Sequence, residues 1–356
     1  MIKYIGSKRV LLPAILRATT ALAAPGATIA DLFSGTARVG HALKRAGHRV
    51  IANDHNAYAH ALATCYVQAD AERWAEPARK ILDDLARLPG RPGYFTDVFC
   101  ERARYLQPHN GARVDAIRDA IEALAPEPEL KSVLLVSLME AADRVDSTAG
   151  LQMAYMKRWA KRSFNDLELR LPALLPCPRA GPCVAMSAEA EAAAAMIEAD
   201  IAYLDPPYNQ HSYLGNYHVW ETLIRWDAPE AYGIAQKRID VRARKSAFNS
   251  RRGIQAALQG VLDRLRCRTV LLSFSDEGFL ARATVEAMLR ARGHVAVAAL
   301  AHDRYVGAKI GIYDLTGRKV GTPGHLTNTE FLYVVSDDAA AARRAAEAAM
   351  ALPVAA

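Results

Sequence analysis

No apolar run in the 356-residue sequence approaches the ~18–20 residues needed to cross a bilayer. The opening, Met1-Ile2-Lys3-Tyr4-Ile5-Gly6-Ser7-Lys8-Arg9, lacks the apolar core of a secretion signal. Together these absences predict a soluble, cytoplasmic protein with no membrane partner. Cysteine is scarce: Cys65, Cys100, Cys177, Cys183 and Cys267 show no paired zinc-ligand spacing, so each reads as a structural thiol and no metal site is expected. Glycine is sparse where a dinucleotide fingerprint would need G-x-G-x-x-G; the first strand–turn–helix has only Gly35 and Gly40, a poor fit to a pyrophosphate. Acids are outnumbered, leaving a formal net charge of +7, which favours polyanionic partners, nucleic acid first. Internal repeats are absent.

What is present begins with a βαβ unit. An apolar-periodic helix from Leu11 to about Leu22 ends at Ala24-Pro25-Gly26. Thr28 to Gly40 reads as a strand, a glycine-bearing turn and the start of a helix running from about Val39 to Ala46. His48 to Asp54 then reads as a second strand ending in an acid. Ala57–Leu88, Val114–Leu124 and Glu129–Val145 have helical spacing, with breaks at 89–93 and at Pro108-His109-Asn110-Gly111. Residues 172–182 are proline-rich and read as a linker. Strands resume at Cys183–Met186, Ile201–Leu204, Thr269–Phe274, His294–Leu300 and Thr329–Val335, with helices over Ile254–Leu265 and Phe279–Arg292. The expectation is a doubly wound α/β sheet, residues 1–75 and 176–338, carrying a mainly helical insertion over 76–175. The alanine-rich tail, 339–356, reads as a frayed helix or disorder.

The most informative stretch is Ile201-Ala202-Tyr203-Leu204-Asp205-Pro206-Pro207-Tyr208. Its continuous apolarity suits a strand buried on both faces, and two prolines, which cannot donate ladder hydrogen bonds, must end it. Asp205 and Tyr208 then stand on a stiff loop at the carboxyl edge of the sheet, where open α/β folds place their ligands. A strand followed by a Pro-Pro turn is common, yet this four-residue string should arise by chance in only about one such chain in several hundred. In the first unit, Asp31 would repel a phosphate but favour a cation, and Asp54 is placed to accept bonds from two ribose hydroxyls. A nucleoside with positive charge and no phosphate fits both, and S-adenosylmethionine is such a ligand.

Joined, the two halves resemble the amino-group DNA methyltransferases, most closely the Dam-like N6-adenine methylases. The residues carrying the resemblance are Lys3-Tyr4-Ile5-Gly6-Ser7-Lys8, the turn from Asp31 to Gly40, Asn53-Asp54, and Asp205-Pro206-Pro207-Tyr208-Asn209. Asn216-Tyr217-His218, Ser273 to Gly278 and Thr329-Glu330-Phe331 are similar to later blocks of that group. The resemblance implies a Rossmann-like methyltransferase sheet and S-adenosylmethionine as cofactor. Tyr4 and Lys8 would pack against its methionine end, Phe33 and Gly35 beneath it, with Asp31 and Asp205 also at the cofactor and Asp54 on the ribose. Asp205, Pro206, Pro207 and Tyr208 would form the catalytic loop. Two positions depart from or fall short of the pattern: Ala37 stands where the second glycine of the turn is usual, and the contact to the cofactor's adenine falls on Ser187 or Glu189.

The loop's residue types suit the chemistry. An exocyclic amine is a poor nucleophile because its lone pair is delocalised into the ring; Asp205 and the Pro206 carbonyl can accept its two hydrogens and draw the nitrogen towards tetrahedral geometry. Pro207 keeps these acceptors in place beforehand. Tyr208 offers a stacking face, worth roughly 1–3 kcal/mol, and a base inside a duplex must flip to reach it. His55, His211 and His218 read as hydrogen-bonding or packing residues, and Trp220 and Trp226 as core.

Double-stranded DNA is the expected partner, and a restriction endonuclease is a further candidate. Arg242, Arg244, Lys245, Arg251 and Arg252 crowd a stretch with few acids, and Lys157, Arg158, Lys161 and Arg162 form a second cluster within the insertion. A lone charge run is more often a solvated face; directly after a catalytic loop, phosphate contact is the better reading, and family position implies that the insertion reads the target sequence. The competing readings are an RNA base methyltransferase and a DNA-binding module with a degenerate methyltransferase fold. Cytosine N4 enzymes usually carry serine, and protein glutamine methylases asparagine, where Asp205 stands.

Overall fold

The computed structural model describes residues 1–303, 312–313, 319–321 and 327–351; the last five positions of the tail, 352–356, lie outside the described residues. The helix α1 (Leu12–Leu22), with a proline in its first turn, leads into β1 (Thr28–Asp31), α2 (Arg38–Arg45) and β2 (Arg49–Asn53). A helical block follows: α3 (Ala57–Ala63), α4 (Ala71–Ala86), α5 (Pro108–Leu124) and α6 (Pro128–Arg144). The helix expected to run unbroken over Ala57–Leu88 instead passes through a π-turn at Thr64–Gln68, and Asp70 caps a new helix by accepting the Glu72 N–H. The break expected at 108–111 is a helix start, because a proline at the first position gives up only an N–H that has no intrahelical partner there.

The second half adds β3 (Val184–Met186), α7 (Ala190–Met196), β4 (Ile201–Leu204), the short α8 (Tyr213–Asn216), α9 (His218–Arg225) and a two-stranded hairpin, β5 (Ala231–Tyr232) with β6 (Lys237–Arg238). Then come α10 (Ile254–Arg264), β7 (Thr269–Ser275), α11 (Arg282–Arg290), β8 (His294–Asp303), a small pair β9 (Ile312–Tyr313) and β10 (Lys319–Gly321), β11 (Thr327–Ser336) and α12 (Ala339–Met350). Seven strands form one sheet in the order β3-β2-β1-β4-β7-β11-β8; all neighbours are parallel except β11, which runs antiparallel between β7 and β8. The chain order reverses between β1 and β4, the position at which open sheets of this kind leave a crevice for ligands.

Strand alternation explains the two cores. Ile201 and Tyr203 of β4 enter one apolar cluster with Ile29, Val50, Leu271 and Val334, while Ala202 and Leu204 enter the other with Ala30, Val270, Leu272 and Val335. The first cluster continues through Trp74, Phe99, Val133 and Leu134, so the helical block shares its core with the sheet. The tail is a correction to the sequence reading. Over 339–350 it is a packed helix, capped by Asp338, burying Ala342, Ala345, Ala346 and Ala349 in the same core, and Arg17 of α1 donates to the Ala348 and Ala349 carbonyls. Alanine here permits close approach of two helices, and that packing opposes fraying.

The turn between β1 and α2 holds two left-handed residues, Gly35 (φ 53°) and Ala37 (φ 59°). The alanine at the usual glycine position therefore sits in a region that costs an L-residue roughly 1–2 kcal/mol. Its methyl is fully buried, however, and burial returns about 0.8 kcal/mol. Ala37→Gly is accordingly expected to change stability by less than about 1 kcal/mol, whereas Ala37→Val, β-branched in the same region, should destabilise by about 2 kcal/mol or more; urea denaturation midpoints measure both.

Candidate active site

A cleft with about 980 Å³ of empty space, part of it open to solvent, lies at the carboxyl ends of β1, β2 and β4. Tyr4, Lys8, Asp31, Phe33, Gly35, Asp54 and Asp205, drawn from three distant stretches of sequence, all line it. The strand ends explain this: Asp31 closes β1, Asp54 follows β2 and Asp205 follows β4, so sheet register brings three carboxylates to one edge.

Asp31 is 1 % exposed, and neither carboxylate oxygen has a well-formed hydrogen bond. Burial pushes its pKa up to about 7, reinforced by the nearby Asp205 charge; the Gly40 N–H and Ser34 hydroxyl pull weakly the other way. Gly40 lets α2 come close, since a Cβ there would sit 3.3 Å from the Asp31 carboxylate and 2.9 Å from Val67. Asp54 is better satisfied: it accepts the Gly35 N–H at 3.0 Å and the Asn56 N–H at 2.9 Å, although burial still raises its pKa.

Tyr4 lies over the turn, close enough that a Cβ on Gly35 would be 3.4 Å from its ring. Its ring stacks on Tyr217 (4.5 Å between centroids) and Tyr213 (5.1 Å), and its hydroxyl pairs with that of Tyr58 at 3.1 Å. The Tyr217 hydroxyl also accepts the Ile5 N–H at 2.6 Å, fastening the opening segment to the chain downstream of the Pro-Pro loop. The sequence reading missed this aromatic stack; the quoted Asn216-Tyr217-His218 block was its only trace.

Lys8 is buried, and its ammonium lies 2.9 Å from Asp205 Oδ1 and 2.7 Å from Glu330 Oε1. The Ser273 hydroxyl also donates to Glu330 Oε1, at 2.5 Å. Lys8 thus borders the cleft, and its ion pairs tie it to the Asp-Pro-Pro-Tyr loop and to β11. Burial raises the Asp205 pKa, Lys8 opposes the rise and Glu330 adds to it. Of the loop itself, Asp205 and Pro207 face the cleft, Pro206 is buried, and Tyr208 packs against Phe274 with ring centroids 5.6 Å apart. Glu330 and Ser273 stand on β11 and β7 and were not identified as site residues from the sequence.

Glu189 lines the cleft beside Ala188, which Asn53 holds through two hydrogen bonds, and Glu189 pairs with His55 at 3.1 Å; Ser187 is not among the lining residues. Phe33 meets Phe248 edge-on at 5.2 Å, bringing the basic segment to the cleft wall. His218 is fully buried against the Gln152 carbonyl, and burial lowers its pKa to about 3. Trp220 is buried; Trp226 is half-buried, donating to Asp119.

The basic residues divide. Arg244 is committed to Glu221 (3.0 Å) and Asp240, and Arg162 to Asp146 (2.6 Å) and the Thr148 carbonyl, so both serve intramolecular pairs. Arg242 lies over the Tyr232 ring and Arg251 over that of Phe279. Lys157, Arg158, Lys161, Lys245 and Arg252 are exposed. Asn249, in the same segment, donates to the Asn209 and His211 carbonyls and so braces the chain after the Pro-Pro loop. All five cysteines are free thiols; Cys65, Cys100 and Cys183 are buried and Cys177 is exposed. Among the described residues, no helix is long and apolar enough to cross a membrane.

A mostly parallel sheet with its crevice at the strand reversal, a left-handed turn after β1 and an acid after β2 define the Rossmann-like methyltransferase class. The family model of the D12 class N6 adenine-specific DNA methyltransferases matches residues 4–256, and the chain belongs to that family. It is 29 % identical over 281 residues to the type II methyltransferase M.FokI of Planomicrobium okeanokoites, covering 74 % of this chain and 42 % of that protein. The modification methylase StsI of Streptococcus sanguinis is 28 % identical over 303 residues, covering 81 % of this chain and 46 % of its own length. The type II methyltransferase M.NlaIII of Neisseria lactamica is 30 % identical over 258 residues, 70 % of this chain and 75 % of that protein. The chain thus spans less than half the length of the first two.

Proposed function

We propose that this chain transfers a methyl group from S-adenosylmethionine to the exocyclic N6 of a flipped adenine in duplex DNA. One observation carries the reading: the buried carboxylate of Asp31, which has no well-formed hydrogen bond, and the carboxylate of Asp205 border one cleft at the strand reversal. The donor set fits the cofactor. Asp31 has no cationic partner among the described residues and suits a cationic group, Asp54 stands near the turn for ribose hydroxyls, and Phe33 and Glu189 border the space for a nucleoside base. When bound, the cofactor supplies an electrophilic methyl carbon on a sulfonium. The chain's own residues prepare the nucleophile: Asp205 and the Pro206 carbonyl accept the N6 hydrogens, and Pro207 holds these acceptors rigid.

Tritiated S-adenosylmethionine offered with duplex DNA, RNA and protein, followed by nucleoside analysis, tests the reading. N6-methyldeoxyadenosine in the DNA is the expected product; label only in RNA, or none at all, would sink it. The helical block 76–175 is proposed to read the target sequence, and a restriction endonuclease recognising the same sequence is the proposed partner in the cell.

A second groove, lined by Gln210, Ser212, Tyr232, Arg242, Lys245 and Asn249, adjoins the cleft and shares Ser212, Ser246 and Asn249 with it. Among the described residues no acid lines it, which suits the phosphates flanking the flipped nucleotide. Lys245→Ala is expected to weaken DNA binding by about 3–10-fold and to reduce the slope of log K against log salt by about 1. Arg244→Ala should act through stability, since Arg244 already pairs with the fully buried Glu221. Fluorescence anisotropy across a salt series, alongside thermal melts, separates the two.

A further inference from the structure

We propose that Glu330 is a positioning residue for methyl transfer: by sharing the Lys8 ammonium with Asp205, it keeps Asp205 available to the substrate amine and leaves the Lys8–Asp205–Glu330 triad with one net negative charge. The proposal rests on the reading of Asp205 as the acceptor of an N6 hydrogen.

Its basis is a charge count at contact distance. Three groups meet: one ammonium, Lys8, between two carboxylates, Asp205 at 2.9 Å and Glu330 at 2.7 Å. Glu330 is 2 % exposed and is absent from the cleft wall; it stands behind Lys8 on β11, tethered by the Ser273 hydroxyl of β7. Without Glu330, Lys8 and Asp205 would form a neutral pair, and a carboxylate with sole claim on a buried ammonium is a poorer acceptor for an amine hydrogen. A nitrogen nucleophile gains positive charge as it bonds to carbon, and a fixed net negative charge beside it favours that change. Burying a second carboxylate costs several kcal/mol unless it is paired and hydrogen-bonded. Glu330 meets both conditions, and the arrangement does not need it merely to neutralise Lys8, because Asp205 already does so.

Among the described residues, the other charged or titratable groups facing Asp205 are Asp31 from β1, Tyr203 from β4, Tyr208 on the loop and Tyr213 of α8. The tyrosines stay neutral at ordinary pH, since burial raises all three. Burial and Glu330 push the Asp205 proton affinity up and Lys8 pulls it down. Removing the Glu330 charge should therefore lower the pH at which Asp205 ionises.

The test compares Glu330→Gln, Glu330→Asp and Ser273→Ala with the unaltered chain. Glu330→Gln is expected to reduce kcat by about 30–100-fold, to leave KM for DNA and the cofactor Kd within about threefold, and to move the acid limb of the kcat profile down by about half a pH unit or more. Glu330→Asp should restore much of the turnover and the position of the limb. A readout independent of turnover is a 13C carboxyl titration of the cofactor-free protein, with the Asp205 resonance assigned by its loss in Asp205→Asn; its midpoint should fall in Glu330→Gln. Near-normal turnover in Glu330→Gln, or lost turnover with limb and midpoint unmoved, would overturn the proposal, the latter marking a purely structural role. Should Glu330→Gln fail to fold, Ser273→Ala decides: it keeps the charge but removes its tether, so a several-fold fall in kcat is expected and an unchanged kcat overturns the idea. A shifted midpoint in a protein that methylates no DNA supports the charge arrangement and sinks the substrate reading instead.

Discussion

Asp205→Ala is expected to lower methyl transfer by at least about 10³-fold while cofactor affinity changes by less than tenfold. The size follows from the role proposed for Asp205, a preorganised acceptor for the reacting amine, since removal of one such group typically costs about 10²–10³, compounded by exposure of a lysine charge to the amine. The fold should survive, for a reason visible only in the structure. Lys8 keeps Glu330 at 2.7 Å, so truncating Asp205 does not strand a buried ammonium. Lys8→Met, by contrast, leaves Asp205 and Glu330 facing each other unshielded and should destabilise the protein as well as inactivate it. Single-turnover methylation and calorimetric titration of the cofactor measure the two quantities. Near-normal turnover in Asp205→Ala would remove Asp205 from the chemistry.

Asp31→Asn is expected to cost about 10–100-fold in cofactor affinity and yet make the cofactor-free protein more stable. The Asp31 carboxylate is buried, has no well-formed hydrogen bond, and ionises at about 7 instead of its ordinary value near 3.8. An acid whose folded-state pKa is raised binds more protons folded than unfolded between those two values, so its contribution to stability falls as pH rises through that window and the full penalty stands above about pH 7. Removing the charge should therefore stabilise on the order of 1–3 kcal/mol at pH 8 and much less at pH 5. Cofactor binding carries the opposite sign, because a cationic ligand prefers the ionised carboxylate: affinity should fall as pH drops below about 7 in the unaltered chain and lose that dependence in Asp31→Asn. Thermal melts at pH 5 and pH 8, with cofactor titrations between pH 5.5 and 8, test both halves. A variant that neither gains stability at pH 8 nor loses affinity would mean that Asp31 has no cationic partner. Stability given up at an empty site and recovered on binding is a common trade in functional clefts.

Much of the frame was legible along the chain because its signals are local. Continuous apolarity over Ile201–Leu204 and two following prolines placed β4 and its stop, and strand–turn–helix spacing placed Asp31 and Asp54 at strand ends. The proline at 108 was misleading, since the same residue that breaks a helix interior starts a helix at no cost. The alanine tail was misread because composition carries no record of a neighbouring surface; α12 is held by burial of four alanines and by Arg17 of α1, which lies more than 300 residues away.

The sequence by itself determined which groups stand at the carboxyl edge of the sheet, because strand period and proline act within a few residues. Their state was decided by tertiary structure. Lys8 and Glu330 are 322 positions apart, and only the antiparallel insertion of β11 beside β7 brings the glutamate behind the lysine and the lysine onto Asp205. In the same way, Arg162 and Arg244 look like free cations in the sequence and become intramolecular partners in the fold. The charge a side chain presents depends on what shares its space, and proximity in space is set by the sheet.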